Sequence, residues 1–126
     1  MAQAVQVYPS ASGLLFGVQA YADIQGCYVA ILTGSGWIFV QFSAGLINTY
    51  AGPNICAMVV KIDGIESQLL QRNAKPLEGE DFSMSHRIAI KLGSGQHIFQ
   101  LRGYAGSANI LIQAYQASLI VEEPGY

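Results

Sequence analysis

Two histidines, two cysteines, one acidic run and seven tyrosines are the side chains of this 126-residue sequence with which chemistry could be done. His86 and His97 stand on either side of a Gly93-Ser94-Gly95 turn. If the strands flanking that turn pair with Leu92 opposite Gln96, His97 faces Lys91 and His86 lies five residues further on. That is roughly 16 Å at about 3.3 Å per residue, too far for one chain to share a metal between them. Only a symmetry axis could gather copies of one histidine. Cys27 and Cys56 belong to no C-x-x-C pair, so zinc and dithiol redox chemistry lack their spacing. A disulfide between them would need Cα atoms within about 7 Å, and reduced, buried thiols are expected. Glu78-Gly79-Glu80-Asp81 gathers hard oxygen ligands, but the alternating ligands, central glycine and closing glutamate of a calcium loop are missing. A solvated loop is the expectation there, with no metal and no cofactor.

Catalysis finds as little support. The sequence has no G-x-S-x-G elbow, no phosphate loop and no H-E-x-x-H. Asp23 is the one charged residue among the first 60 and has no carboxylate partner in its half of the chain. The chain therefore reads as non-enzymatic, with no catalytic residue. Tyr8, Tyr21, Tyr28, Tyr50, Tyr104, Tyr115 and Tyr126 offer rigid amphipathic area, which suits packing and interfaces.

The elements that would position these groups are strands. Gly, Thr, Val, Ile and Tyr are frequent, helix-forming windows are absent, and turn glycines recur every 8–15 residues. That spacing indicates an all-β sandwich or barrel. Strands are expected over 14–22, 27–32, 37–48, 55–62, 65–72, 86–92, 96–102 and 109–121, with an edge strand over 5–8 before Pro9. Asp63-Gly64 between two β-prone runs predicts a type I′ hairpin turn. A second hairpin is expected through Gly93-Ser94-Gly95, and Gly34-Ser35-Gly36 plays the same turn role before Trp37. Residues 73–85 read as a polar loop. No linker interrupts the chain, so residues 1–126 are taken as one domain.

Composition narrows the function. Charged residues make up 11% of the chain, against about 25% in ordinary soluble domains. A folded monomer of 13.5 kDa would expose roughly 6,500 Å², and six cations and eight anions must keep that surface wet. Thirteen of those charges fall in residues 61–126. A net charge of −2 gives no electrostatic grip on nucleic acid. No apolar run is long enough for a membrane helix. The first residues carry no Lys or Arg ahead of an apolar stretch, so no signal peptide is expected.

Hydrophobic patterning points to a partner surface. Along 96–102, His97, Phe99 and Leu101 alternate with more polar residues, as in a strand with one face in a core. By contrast 37–42, 110–115 and 119–121 are apolar on both faces. Antiparallel strands covered on one side should alternate, so a second layer must cover these, and another subunit is the natural candidate. Trp37, Phe39, Gln41, Gln113, Tyr115, Leu119 and Val121 are the residues chosen for such an interface.

The order of these elements resembles a known family. A strand with Phe39-Val40-Gln41-Phe42-Ser43-Ala44 precedes a small-residue loop containing Gly52. Then come Val60-Lys61-Ile62-Asp63-Gly64, a polar loop, Ile88–Arg102 around its Gly-Ser-Gly turn, a glycine-rich turn at 103–109, and a closing strand with Ala117-Ser118-Leu119-Ile120-Val121-Glu122. Over about 37–123 this is similar to the tumour-necrosis-factor/complement-type globular domain, nearest its short bacterial and phage members. The resemblance implies an antiparallel β-sandwich jelly roll of about eight to ten strands. It also implies a homotrimer packed around one sheet of each sandwich. For function it implies a structural virion protein that decorates or cements a phage capsid, or forms part of a fibre or tail, with capsid or other virion proteins as partners. The alternative it leaves open is a complement- or lectin-like ligand-binding head on a cell or phage surface, where calcium is sometimes held.

Overall fold

From Ile38 to Leu46 every second side chain is buried: Ile38, Val40, Phe42, Ala44 and Leu46 are all 2% exposed or less. A strand has a side-chain period of two, so these five share one face, and that face is the floor of the core. The computed structural model describes residues 3–11, 14–15, 17–49, 54–77, 79–107 and 110–124, without the side chains of 14–18, 67–73 and 114–115. Among the described residues ten strands run in chain order as β1 (Gln3–Val7), β2 (Leu14–Leu15), β3 (Gly17–Val18), β4 (Ala22–Thr33), β5 (Gly36–Asn48), β6 (Cys56–Ile62), β7 (Ile65–Ala74), β8 (Asp81–Leu92), β9 (Gly95–Ala105) and β10 (Ile110–Glu123). Helix is absent among the described residues.

Two sheets face each other. The first has the order β1-β10-β5-β8 with β2 beside β10; the second has β9-β6-β7 with β3 and β4 both on β9. Every pairing is antiparallel except the two-residue β3, which runs parallel to β9. The fold is an all-β jelly-roll sandwich. Its core interleaves Ile38, Val40, Phe42, Leu46, Ile110, Ile112 and Leu119 of the first sheet with Met58, Phe99 and Leu101 of the second. The single chain exposes 6457 Å², as expected for its mass.

The Asp63-Gly64 turn has positive φ at both residues, 51° and 85°, as a type I′ hairpin requires, and it joins β6 to β7. Three expectations need correction. The expected hairpin around Gly93-Ser94-Gly95 does not exist: β8 pairs with β5 in one sheet, and β9 pairs with β4 and β6 in the other. Gly34-Ser35 likewise carries the chain from one sheet to the other. Here β8 pairs along its length with β5, and β9 is flanked on both sides, by β4 and by β6; Gly36 and Gly95, at φ 144° and 130°, let the chain turn over its end. The polar loop expected over 73–85 is shorter, because Asp81–Ser85 is strand. Phe82 and Met84 point inward and Asp81, Ser83 and Ser85 outward, a period of two hidden by polar composition. Finally, the single strand expected over 14–22 is broken, β2 joining one sheet and β3 the other, with Gln19 at a positive φ of 56° just beyond.

Candidate assembly face

The outer surface of the first sheet is built by the register of its strands. On β5 the residues between the core positions are Trp37, Phe39, Gln41, Ser43, Gly45 and Ile47. Across from them β8 offers Lys91, Ala89, Arg87, Ser85, Ser83 and Asp81. On β10, Glu122 stands opposite Phe39, Ile120 opposite Gln41, Ser118 opposite Ser43, Gln113 opposite Gly45 and Leu111 opposite Ile47. Gln6 and Ala4 of β1 extend the rows of Ile120 and Glu122. Trp37 is 49% exposed, and Phe39, Ile47, Leu111 and Ile120 are half-buried. The face is thus apolar and amide-rich, with four charged side chains among the described residues.

Of the residues chosen from sequence, Trp37, Phe39, Gln41 and Gln113 lie on this face. Leu119 and Val121 do not: both are fully buried, opposite Phe42 and Val40 in the core. The cause is a bulge. Between Gln113 and Ser118, β10 advances five residues while β5 moves only from Gly45 to Ser43. The three extra residues reverse the phase of the alternation, so odd positions point outward before the bulge and even positions after it. The outward residues of the second half are therefore Ser118, Ile120 and Glu122. The side chain of Tyr115 lies outside the described residues, as do Tyr50, Tyr126 and Glu78.

The bulge also shapes the face. Gly45 lies beneath it, and a Cβ there would run into Gln116 and stand 3.2 Å from Gln113 Oε1. Gly45, Gln113 and Gln116, with Asp81 and Ser83, line an open polar groove of about 360 Å³ at one end of the face. At the other end the guanidinium of Arg87 lies 4.4 Å over the Phe39 ring, and its Nη2 stands 3.9 Å from Glu122 Oε1.

Comparison with known proteins bears on the fold. No family profile and no curated sequence matches the chain. Among solved structures it is similar to the tumour-necrosis-factor protein Eiger from S. frugiperda, with a TM-score of 0.68 at 14% identity, covering 98% of this chain and 93% of that one. It is also similar to the protein of the T13 infectious bursal disease virus particle, with a TM-score of 0.68 at 10% identity over 96% of this chain. A third likeness, to the Gx strain of the same virus, has a TM-score of 0.66 at 12% identity. The chain spans about a third of the length of these viral proteins (31% and 33%). At such identities the likeness concerns the jelly-roll fold alone.

The remaining candidate groups serve the scaffold. Cys27 and Cys56 are free and buried, each pushed up to about 12 by desolvation. They sit on β4 and β6, which β9 separates. His86 packs edge-on to Phe42, with centroids 6.1 Å apart. Glu80 accepts a hydrogen bond from the Leu77 amide at 3.0 Å, closing its own loop. No group of three metal-ligating side chains occurs among the described residues. Tyr8 and Tyr28 are exposed, while the rings of Tyr21 and Tyr104 pack at a tilt of 42° with centroids 5.3 Å apart.

Two networks had no signal in the sequence. Arg102 donates to Asp23 at 2.8 Å and to Tyr21 O at 3.1 Å, and it also pairs with Glu66. Asp23 therefore finds its partner 79 residues away. Inside the fold, Asn54 Nδ2 donates to Asn48 Oδ1 at 3.2 Å, and Asn54 Oδ1 accepts from the Ser107 amide at 2.8 Å. Both asparagines are buried and fasten the loops between strands.

His97 is held by two acceptors. Its Nδ1 lies 2.7 Å from Asp63 Oδ2 and its Nε2 2.7 Å from Gly93 O, while Asp63 Oδ1 accepts from the Ile98 amide at 2.8 Å. The Asp63 hydrogen bond, then that of Gly93, raises the His97 pKa, and the same imidazole lowers that of Asp63. Glu123 is lowered by hydrogen bonds from Gln3 and the Gly34 amide. The signs give a window. The His97 contribution is present below about pH 6.5 and lost as pH rises through its raised value; those of Asp63 and Glu123 are present above about pH 4 and lost on acidification. Thermal melts from pH 3 to 9 are expected to peak between about pH 4.5 and 6.5. Asp63→Asn should flatten the alkaline limb, which a merely acid-sensitive protein would leave unchanged.

Proposed function

We propose that the chain is a non-enzymatic structural protein that assembles into a homotrimer through the outer face of the β1-β10-β5-β8 sheet. One observation carries the reading: this face presents Trp37, Phe39, Ile120, Ile47 and Leu111 with few charges, on a chain already poor in charge. Burying a medium apolar side chain is worth about 1.5–3 kcal/mol, and a closed ring lets identical patches meet without open-ended growth. The sharing of the jelly-roll fold with proteins of viral particles supports a place in a virion, decorating or cementing a phage capsid or forming a fibre or tail part. Sedimentation equilibrium of the purified chain is expected to give three times 13.5 kDa. A well-folded monomer at 100 µM would remove this reading. Cosedimentation with assembled phage particles, and not with their unassembled subunits, is the expected result for the virion role.

The polar groove at Gly45, Gln113, Gln116, Ser83 and Asp81 favours a second reading, a ligand-binding head. That reading requires the isolated protein to bind a sugar or calcium in titration calorimetry, whereas the structural role requires neither.

A further inference from the structure

We propose that β4 is a docking edge for the same strand of a second copy: two β4 strands pair antiparallel about a twofold axis at Ala30, so that Tyr28 of each copy stands opposite Leu32 of the other. The contact lies on the second sheet, away from the outer face of the first, and does not depend on the trimer reading.

The open edge follows from the ladder. β4 pairs with β9 and with no other strand. In that pairing Ala30 is opposite Ile98, and the Ile98 backbone is turned away from it. The Ile98 carbonyl accepts from the Asp63 amide at 2.9 Å, and the Ile98 amide donates to Asp63 Oδ1 at 2.8 Å. Facing residues of an antiparallel pair exchange both hydrogen bonds or neither. Ala30 and Ile98 exchange neither, so the N–H and C=O of Ala30 point to the free side of β4. Those of Tyr28 and Leu32, two residues away on either side, do the same. Leu32 O takes a hydrogen bond from Gln3 Nε2 at 2.6 Å, and further back the Ser10 amide caps Gln25 O. Between those two contacts nothing among the described residues hydrogen-bonds the edge at Tyr28 and Ala30.

The strand carries none of the usual guards. Exposed edges are commonly blunted by Lys, Pro, a bulge or an inward charge. Residues 27–33 read Cys-Tyr-Val-Ala-Ile-Leu-Thr, without charge or proline, and the bulge of β4 ends at Tyr28. Tyr28 is 50% and Leu32 72% exposed, with Ala30 exposed between them.

The residues around Ala30 select a copy of the same strand. A twofold axis there sets Ala30 against Ala30 and, twice, an exposed Tyr28 ring against an exposed Leu32, an aromatic–aliphatic pairing that stabilises facing strands. Three such pairs exchange six backbone hydrogen bonds, and Leu32 O keeps Gln3 on its second lone pair. Other registers are blocked. A shift of two residues one way sets Leu32 against Gly26, whose surroundings Tyr8 and Ser10 already fill. The same shift the other way sets Tyr28 against Gly34, beyond the end of the strand. About five residues a side is far below the 20–30 of a stable interface. The edge therefore links copies held together by other surfaces, where many such contacts are made at once.

Disulfide trapping tests the register. Cys27 and Cys56 are buried and leave the background silent. Ala30→Cys, oxidised with glutathione disulfide at high chain concentration, is expected to run on a denaturing gel as a covalent pair of twice 13.5 kDa. Facing Cα atoms in such a pair lie about 5.5 Å apart, within the span of a disulfide. Leu32→Cys alone is the control. It is at least as accessible, but its two copies would lie four residues apart along the pair, roughly 14 Å, and should stay unlinked. An equimolar mixture of Tyr28→Cys and Leu32→Cys should cross-link although neither does so alone. Adding Ala30→Lys to both chains of that mixture should cut the yield tenfold or more, because two ammonium groups then face each other at the axis. All three positions are exposed, so each variant should keep the wild-type circular dichroism. No cross-link from Ala30→Cys, or none from the mixture, would overturn the proposal. So would an equal yield from Leu32→Cys alone, the mark of random collision. The expected gel pattern from a chain that otherwise sediments as a monomer would remove the trimer reading and leave this contact standing.

Discussion

Gly26→Ala is expected to destabilise the fold by about 3 kcal/mol or more, enough to lower the melting temperature by roughly 10 °C in a chain of this size. Gly26 sits in the bulge of β4 between Asp23 and Tyr28 with φ at +92°, a region that costs a non-glycine residue of order 1–3 kcal/mol. Space is closed as well. A Cβ there would stand 2.5 Å from Tyr8 O and 2.6 Å from Ser10 N, both backbone atoms that cannot rotate away. The 8–10 segment would have to move, stretching the 2.7 Å hydrogen bond from the Ser10 amide to Gln25 O. Gly64→Ala is the control: φ is similar at +85°, but nothing lies within 4 Å, and about 1 kcal/mol is expected. Equal losses in chemical-denaturant titrations of the two variants would show that conformational strain alone matters at Gly26.

Gly26 illustrates what a sequence of this kind conveys. Its strands were legible because core positions alternate and because glycines punctuate the turns, as with Asp63-Gly64. What a turn glycine does not convey is which strand the chain pairs with next. Gly34-Ser35-Gly36 and Gly93-Ser94-Gly95 look like hairpin turns and instead pass between sheets, because the competing partners, β5 for β8 and β4 and β6 for β9, lie far away in sequence. The same limit hid the Arg102–Asp23 pair and the hold of the buried Asn54 on the Ser107 amide. On the outer face of the first sheet, two apolar sides were visible on 37–42 and 119–121. The phase of the second segment was not, because it depends on a bulge that leaves no local mark in the residues 113–118. Gly45 carries the trace of it, and only the packing of Gln116 above it reveals why a glycine stands there.

The surface that results makes Ile120→Lys the strongest test of assembly, with loss of self-association by a hundredfold or more expected and a fold that stays intact. Ile120 is central on the face, opposite Gln41 on one side and Gln6 on the other, and it points away from the core that Leu119 and Val121 fill. In a monomer a lysine here would lay its methylenes along Phe39 and Gln41 and keep its ammonium in water, so the change in monomer stability should stay within about 0.5 kcal/mol. In an assembly the same ammonium would be carried into an apolar seam where the neighbouring Glu122 already faces Arg87, which costs several kcal/mol. Leu119→Lys gives the opposite signature. That side chain is fully buried between the sheets, so the substitution should unfold the chain whatever its oligomeric state. Sedimentation velocity read together with thermal melting separates the two: Ile120→Lys should give a folded 13.5 kDa species, and Leu119→Lys an unfolded or aggregated one. An Ile120→Lys chain that still sediments as the wild type would mean that copies meet elsewhere, and the apolar outer face would then have to be covered by a different protein.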